Sequence, residues 1–229
     1  MKTDERKALR SRLERPLYNF AEADWIANVP RGTAKRWLTG YSYALPGSGL
    51  VTRPPVASIQ TPGQGGVSFV DLVEVIAIGG LKRAGFSLLG IRRLVRNCQD
   101  IFQEPRPLAT LKFKHGGRDV FVDRGAHLLE VGRRKGMQAW NEVLGPFLED
   151  LDYAYDVASR WWPLGRASPV LVDPDYSFGL PVIASRGVRT EIILERFKAG
   201  DLEEQIAQDF SLQPAEVQRA LQFELSRAA

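Results

Sequence analysis

Four polar side chains within six residues form the most chemically suggestive cluster in the chain. Arg31, Thr33, Lys35 and Arg36 stand between Pro30 and the apolar pair Trp37-Leu38. Arginine can bond bidentately to guanine, threonine offers a hydroxyl and a methyl group, and both cations can meet phosphate, so this set can read a major groove. The ordinary alternative is an amphipathic helix pair with a solvated basic face. A second set is acidic: Glu149, Asp150, Asp152 and Asp156. On one helix face these carboxylates could hold a cation, but a solvated acidic face explains them at lower cost. The two histidines, His115 and His127, have no metal-ligating partner at usable spacing. Gly63-Gln64-Gly65-Gly66 lacks the Lys-Ser/Thr of a phosphate-binding loop, and no nucleophile or dinucleotide motif is present. The expectation is a non-enzyme with no catalytic residues, no cofactor and no metal.

The basic cluster needs two helices and a turn to present it. Residues 20–26 have the pattern of a short helix, Asn28-Val29-Pro30 that of a turn, and Pro30 suits the first turn of a second helix running to Leu38. Gly40 is expected to stop that helix in the left-handed region. Pro46, Gly47, Gly49, Pro54, Pro55, Pro62, Gly63, Gly65 and Gly66 exclude a long helix over 41–66. A strand over 50–52 pairing with one over 56–59 would make a two-stranded wing. Ser68 is expected to cap a helix over 69–84 in which Gly79-Gly80 permit a close contact. Ser87 should cap the next helix, with Leu88, Ile91, Leu94, Val95 and Cys98 buried and Arg92, Arg93 and Arg96 opposite.

Further along, residues 108–123 alternate around His115-Gly116-Gly117, which predicts a β-hairpin. Leu144, Phe147, Leu148, Leu151, Tyr155 and Ala158 predict one helix over 138–160, stopped at Pro163. A strand is expected over 170–172. Thr190 should cap a helix closed by Gly200, and Asp201 with Glu204 should form a capping box. Ile206, Ala207 and Phe210 face inward on that helix. Pro214 should open the last one, with Val217, Leu221 and Leu225 inward.

The chain has 229 residues, of which 44% are hydrophobic, enough to bury a core and exclude wholesale disorder. No run approaches the roughly 20 apolar residues of a membrane span. Residues 1–7 lack a secretory apolar segment, and the one cysteine excludes an internal disulfide; a cytoplasmic protein with no membrane partner is expected. The formal charge of +4 conceals a split: residues 1–118 carry +10 and residues 119–229 carry −6. Such asymmetry fits an anionic partner for one half and a different one for the other, or equally domains that differ in charge by chance, and the motifs decide between them. The mixed-sign stretch 1–17 is expected to be a solvated helix or a frayed arm.

Residues 19–26 and 29–38, with Val70-Asp71-Leu72 and Ala84-Gly85-Phe86-Ser87-Leu88, resemble the winged helix-turn-helix of MerR-type regulators over about residues 18–101. The resemblance implies that Arg31, Thr33, Lys35 and Arg36 face DNA and that Tyr41, Tyr43 and Arg53 on the wing meet phosphates. Downstream the chain departs from that family, having no long dimerising coiled coil. Phe178-Gly179-Leu180-Pro181-Val182-Ile183, Val188-Arg189-Thr190, Phe197-Lys198-Ala199-Gly200 and Ile206-Ala207-Gln208-Asp209-Phe210 resemble a small helical domain of many prokaryotic antitoxins. Ala184-Ser185-Arg186 replaces that family's usual middle residues. The ordered whole resembles a subclass of VapB-type antitoxin from type II toxin–antitoxin systems, whose partner is a PIN-domain ribonuclease toxin.

The implied fold class is mainly α with small β-hairpins. It comprises a charged arm (1–17), a winged helix-turn-helix (18–105), a β-hairpin and connecting helix (106–165), and a C-terminal helical domain (166–229) containing a second helix-turn-helix. The implied partners are operator DNA, bound to repress the chain's own operon, and the toxin, with a homodimer or a higher toxin–antitoxin complex. Arginine pairs well with the carboxylates of a nuclease metal site, which makes Arg186, Arg189, Arg219 and Arg227 the candidate toxin contacts. The −4 charge of residues 169–229 argues against DNA for the second helix pair. The rival reading is a stand-alone regulator whose C-terminal half dimerises or binds a ligand.

Overall fold

A computed structural model describes residues 2–45, 49–57, 65–119 and 138–227. The chain divides into two compact units, Met1–Glu149 with Tyr153–Ala158, and Asp150–Asp152 with Ser159–Ala229.

The first unit is built around a helix that is apolar almost all round. Helix α4 (Phe69–Arg83) buries every residue from Phe69 to Leu81, and such a helix must run through a core rather than along a surface. Ser68 and Asp71 cap it reciprocally. The close approach expected at Gly79 and Gly80 is present. A Cβ there would stand 3.0 Å from Val29 and 2.8 Å from Val143 respectively. Helix α5 (Leu88–Phe102) starts at Ser87, whose hydroxyl accepts the Gly90 N–H, and buries Ile91, Leu94, Val95 and Cys98. Around this pair lie α1 (Lys2–Leu13), β1 (Pro16–Tyr18), α2 (Phe20–Ile26), α3 (Thr33–Thr39) and a hairpin of β2 (Tyr41–Leu45) and β3 (Gly49–Arg53). β1 pairs antiparallel with β4 (Val67–Ser68). The charged N-terminal stretch is thus a helix, held by Leu13 in the core and by Arg10 pairing with Glu14 and Glu104.

Three expectations for this unit are corrected. The wing strand β3 pairs with Tyr41–Leu45, not with 56–59. Val56 and Ala57 are instead buried and donate their N–H groups to the Trp37 carbonyl; Ser58 and Ile59 lie outside the described residues. The second helix begins at Thr33, so Pro30 and Arg31 precede it. The hairpin expected over 108–123 is a 3-10 turn (Pro107–Ala109) followed by helix α6 (Leu111–Asp119). Thr110 accepts the Phe113 N–H as a cap, and the two glycines lie against aromatic rings. A Cβ on Gly117 would come within 2.5 Å of Phe113 and one on Gly116 within 3.4 Å of Phe102. The glycines therefore admit rings rather than make a turn. Val120, Phe121, Val122 and His127 lie outside the described residues.

The single helix expected over 138–160 is also corrected. A π-helical turn (Trp140–Leu144) leads into α7 (Gly145–Glu149), and a hairpin of β5 (Leu151–Ala154) and β6 (Val157–Trp161) follows. Tyr155 and Asp156 both take positive φ, 47° and 72°, as a two-residue primed turn requires. Glu149, Asp150, Asp152 and Asp156 consequently share no helix face. Asp156 pairs with Arg6 and Asp152 with Arg166. Among the described residues no group of three or more potential ligands could hold a metal ion.

The second unit has a three-stranded antiparallel sheet, β7 (Val170–Leu171), β8 (Val182–Ile183) and β9 (Val188–Arg189), of which β8 and β9 were not anticipated. Helices α8 (Thr190–Lys198), α9 (Glu203–Phe210) and α10 (Pro214–Leu225) follow. Ile193, Ile206, Val217, Ala220 and Phe223 form their common core. Three details differ from expectation. Thr190 is buried and donates to Glu224 at 2.6 Å instead of capping α8. At α9 there is no reciprocal box: the Gln205 side chain accepts the Leu202 N–H at 3.1 Å, leucine has no acceptor to return, and Asp201 pairs with Arg196 instead. Leu225 is exposed. No helix among the described residues is long and apolar enough to cross a membrane.

Candidate nucleic-acid interface

The N-terminal turn between α2 and α3 is fixed by one buried carboxylate. Asn19 and Glu22 cap α2 reciprocally. After α2, Asn28 adopts φ 52° and the Val29 N–H returns to the Asp24 carbonyl at 2.9 Å. The residue before α3 is Gly32, at φ 80°, which has no side chain to cap with. Asp24, only 3% exposed, supplies the cap from α2: its two oxygens accept the N–H groups of Gly32 and Ala34, each at 2.6 Å. A carboxylate there satisfies helix N–H groups that have no partner within the helix and complements the helix dipole.

That arrangement sets which face of α3 is free. Ala34, Trp37 and Leu38 are buried, whereas Arg31, Lys35 and Arg36 are exposed. Thr33 is buried at 5%, and its hydroxyl accepts from Arg36 at 3.3 Å. Of the four side chains expected on this segment, three stand in solvent and Thr33 steadies Arg36.

The β2–β3 hairpin occupies the wing position. Its register places Tyr41 opposite Arg53 and Tyr43 opposite Val51. Alternation puts Tyr41, Tyr43 and Arg53 on one face. The two rings stack at 6.0 Å, and Arg53 donates to the Tyr43 hydroxyl at 3.3 Å. Gly40 makes the join to α3. It has φ 74° and ψ −177°, a positive-φ stop outside the left-handed helical well, and a Cβ there would stand 2.6 Å from the Arg53 carbonyl oxygen. From α5, Arg92 donates to the carbonyls of Pro54 and Pro55 at 2.8 and 3.0 Å and so ties down the hairpin's exit.

Between these elements lies a cleft of about 770 Å³. Thr33, Arg36 and Trp37 line it from α3, Tyr41 and Arg53 from the hairpin, Lys82 and Arg83 from the end of α4, and Arg92 from α5. Five of the lining side chains are cations, and none is acidic. Partial burial first, and then the neighbouring charges of Arg96 and Arg53, hold Arg92 below the ordinary guanidinium range. Burial lowers Arg83 likewise. Cations crowded this way repel one another, and an anion entering the cleft relieves them.

The structure thus brings Thr33, Arg36, Tyr41 and Arg53 together at the cleft. Arg31, Lys35 and Tyr43 do not line it. Lys82, Arg83 and Asp24 were missed from sequence. The basic last turn of α4, Lys82-Arg83, was the available signal for the first two; nothing local marks Asp24 as a cap for a helix ten residues on.

The four C-terminal arginines occupy separate stretches. Arg186 lies in the β8–β9 turn and donates to the Ser211 carbonyl. Arg189 ends β9. Arg219 is exposed on α10 beside Gln222. Arg227 follows α10, with its guanidinium 3.7 Å from the Phe223 ring centroid.

Residues 16–95 match a family described as "Putative DNA-binding HTH domain", and residues 170–223 match "Protein of unknown function (DUF433)". The chain is 28% identical to "Putative antitoxin VapB45" of Mycobacterium tuberculosis, over 93% of this chain and 95% of that one. It is 24% identical to "Uncharacterized protein Rv2308" of the same organism, over 93% and 92%. The fold is that of the crystal structure of RV2018 from Mycobacterium tuberculosis, with a TM-score of 0.65 at 23% identity, covering 90% of this chain and 98% of that one. The chain therefore carries a helix-turn-helix-like N-terminal domain of a DNA-binding type and is a distant relative of a protein named as an antitoxin.

Proposed function

We propose that this chain is an antitoxin of a type II toxin–antitoxin pair. In this reading the N-terminal unit binds operator DNA in the manner of a MerR-like winged helix-turn-helix and represses its own operon. The C-terminal unit binds and neutralises a PIN-domain ribonuclease. The protein catalyses nothing itself. The observation that carries the DNA half is the cleft joining α3, the β2–β3 hairpin, α4 and α5, whose charged lining side chains are all cations. It presents Arg36 to base edges while Arg53, Lys82, Arg83 and Arg92 meet phosphates on either side. A homodimer would double those contacts on a palindrome.

The antitoxin half is supported by the 28% identity along nearly the whole chain to a protein named as an antitoxin. The charge division agrees with it: an acidic C-terminal unit is repelled by DNA and free for a protein partner. The α9–α10 pair accordingly belongs to the protein-binding half. Co-expression with the product of the adjacent gene tests the assignment. The two should co-purify, and the chain should relieve the growth arrest that its neighbour causes. A neighbour that causes no arrest, or an arrest that this chain does not relieve, leaves the rival reading of a stand-alone regulator.

A further inference from the structure

The most exposed large apolar side chain among the described residues is Phe178, at 83%. Its backbone is left-handed, φ 57° and ψ 32°, between Ser177 at φ 46° and Gly179 at φ 74°. Left-handed backbone is unfavourable for any residue with a Cβ, and two such residues in succession require a firm surround. The surround is visible. Buried Asp173 accepts the Asp175 N–H on its side chain and the Tyr176 N–H on its carbonyl, both at 2.9 Å, and pairs with Arg160 at 2.7 Å. The N–H groups of Gly179 and Leu180 return to Tyr176 and Ser177 at 2.8 and 3.1 Å. The Tyr176 ring lies where a Cβ on Gly187 would come within 2.8 Å of it. This turn holds an aromatic ring in water at a conformational cost, and the ring contributes almost nothing to its own unit's core. Aromatic side chains presented rigidly in this way dominate protein–protein interfaces, since little ordering remains to be done on binding.

The charge of the unit selects the partner. Its residues include 12 acidic and 8 basic side chains. A protein with an apolar socket inside a basic frame complements it, and a ribonuclease gathers such a frame to hold RNA phosphates. We propose that Phe178, with Tyr176 (56% exposed) beside it, is the anchor by which the C-terminal unit docks into an apolar socket framed by basic residues on its ribonuclease partner. The proposal rests on the antitoxin reading above.

The test is a titration of the full chain against the purified product of the adjacent gene, with wild type, Phe178→Ala and Phe178→Tyr. Phe178→Ala should weaken binding by about thirtyfold or more, the loss expected of an anchor. Phe178→Tyr should keep it within about threefold, and the wild-type association rate should fall as salt rises. Circular dichroism and the melting temperature should be unchanged in both variants, because the ring is exposed. Equal binding by wild type and Phe178→Ala overturns the anchor and leaves the antitoxin reading standing. No binding by wild type overturns both. A loss of self-association in Phe178→Ala, seen by sedimentation with nuclease binding intact, assigns the ring to a second copy of the chain and also overturns the proposal.

Discussion

The carboxylate of Asp24 stands 2.6 Å from the backbone nitrogen of Ala34, ten residues further along, and 2.6 Å from that of Gly32. A single side chain on α2 therefore sets the start of α3 and the direction in which Lys35 and Arg36 leave it. Replacing Asp24 by Ala leaves two N–H groups at the helix start without their acceptor, one of them buried. The expected loss is about 1–3 kcal/mol of unfolding free energy by urea titration, with a weaker gel shift on the DNA upstream of the gene. Asp24→Asn keeps one acceptor oxygen and should lose less. A variant Asp24→Ala as stable as wild type would remove Asp24 from this role.

Gly40 joins α3 to the hairpin with no room for a side chain. Gly40→Ala places a methyl 2.6 Å from the Arg53 carbonyl oxygen at a φ of 74°. The β2–β3 pairing must open there to relieve the contact. DNA affinity should fall at least about tenfold, with a stability loss on the order of 1–3 kcal/mol. Unchanged DNA binding would show that the hairpin takes no part.

Glu74 is the most perturbed acid among the described residues of the first unit. It is fully buried; burial pushes its carboxyl up to about 8, against the opposing pull of the Leu108 N–H and Arg106. Its second oxygen is buried with no hydrogen-bond partner, as suits a protonated acid. The folded pKa exceeds the unfolded value of 4.5, so the folded chain holds the extra proton between the two. Stability should therefore fall as pH rises from 4.5 through 8, by up to ~1.4 kcal/mol per pH unit from this group, and level off above. Glu74→Gln retains the acceptor for Leu108 and should remove that part of the slope, measured by chemical denaturation at pH 6 and pH 9. Parallel pH dependences for wild type and variant would contradict the assignment.

Cys98 is the one cysteine of the chain and is 0% exposed on α5. Burial, aided by the neighbouring Glu74, pushes its thiol up to about 12. In native buffer it should react with a disulfide reagent only at the rate of local or global opening, and in denaturant at the rate of a free thiol. Fast native labelling would place Cys98 outside the core.

The elements that were legible from sequence are those whose ends carry their own chemistry. Ser68, Ser87, Pro214 and Gly200 mark their helix ends locally, and the structure has helix ends there. The misread segments are those settled by contacts distant in sequence. Gly116-Gly117 has the look of a turn until the rings of Phe102 and Phe113 are placed against it. Residues 151–158 have helical spacing, yet Tyr155 and Asp156 adopt the paired positive φ of a hairpin turn, which aspartate tolerates and tyrosine does not favour. At the candidate site, the exposed cations of α3 followed from Trp37 and Leu38 facing inward. Lys82, Arg83 and the Asp24 cap did not, because the cleft exists only once α4 has passed beneath α3.

The DNA-binding claim is tested most directly by the salt dependence of binding to the duplex upstream of the gene, for wild type and for Arg36→Ala with Arg53→Ala. Loss of the Arg53 phosphate contact should lower the slope of log K against log salt by about 0.9, and loss of both side chains should weaken binding at least tenfold at fixed salt. Affinity and slope equal to those of wild type would contradict the placement of DNA in the cleft.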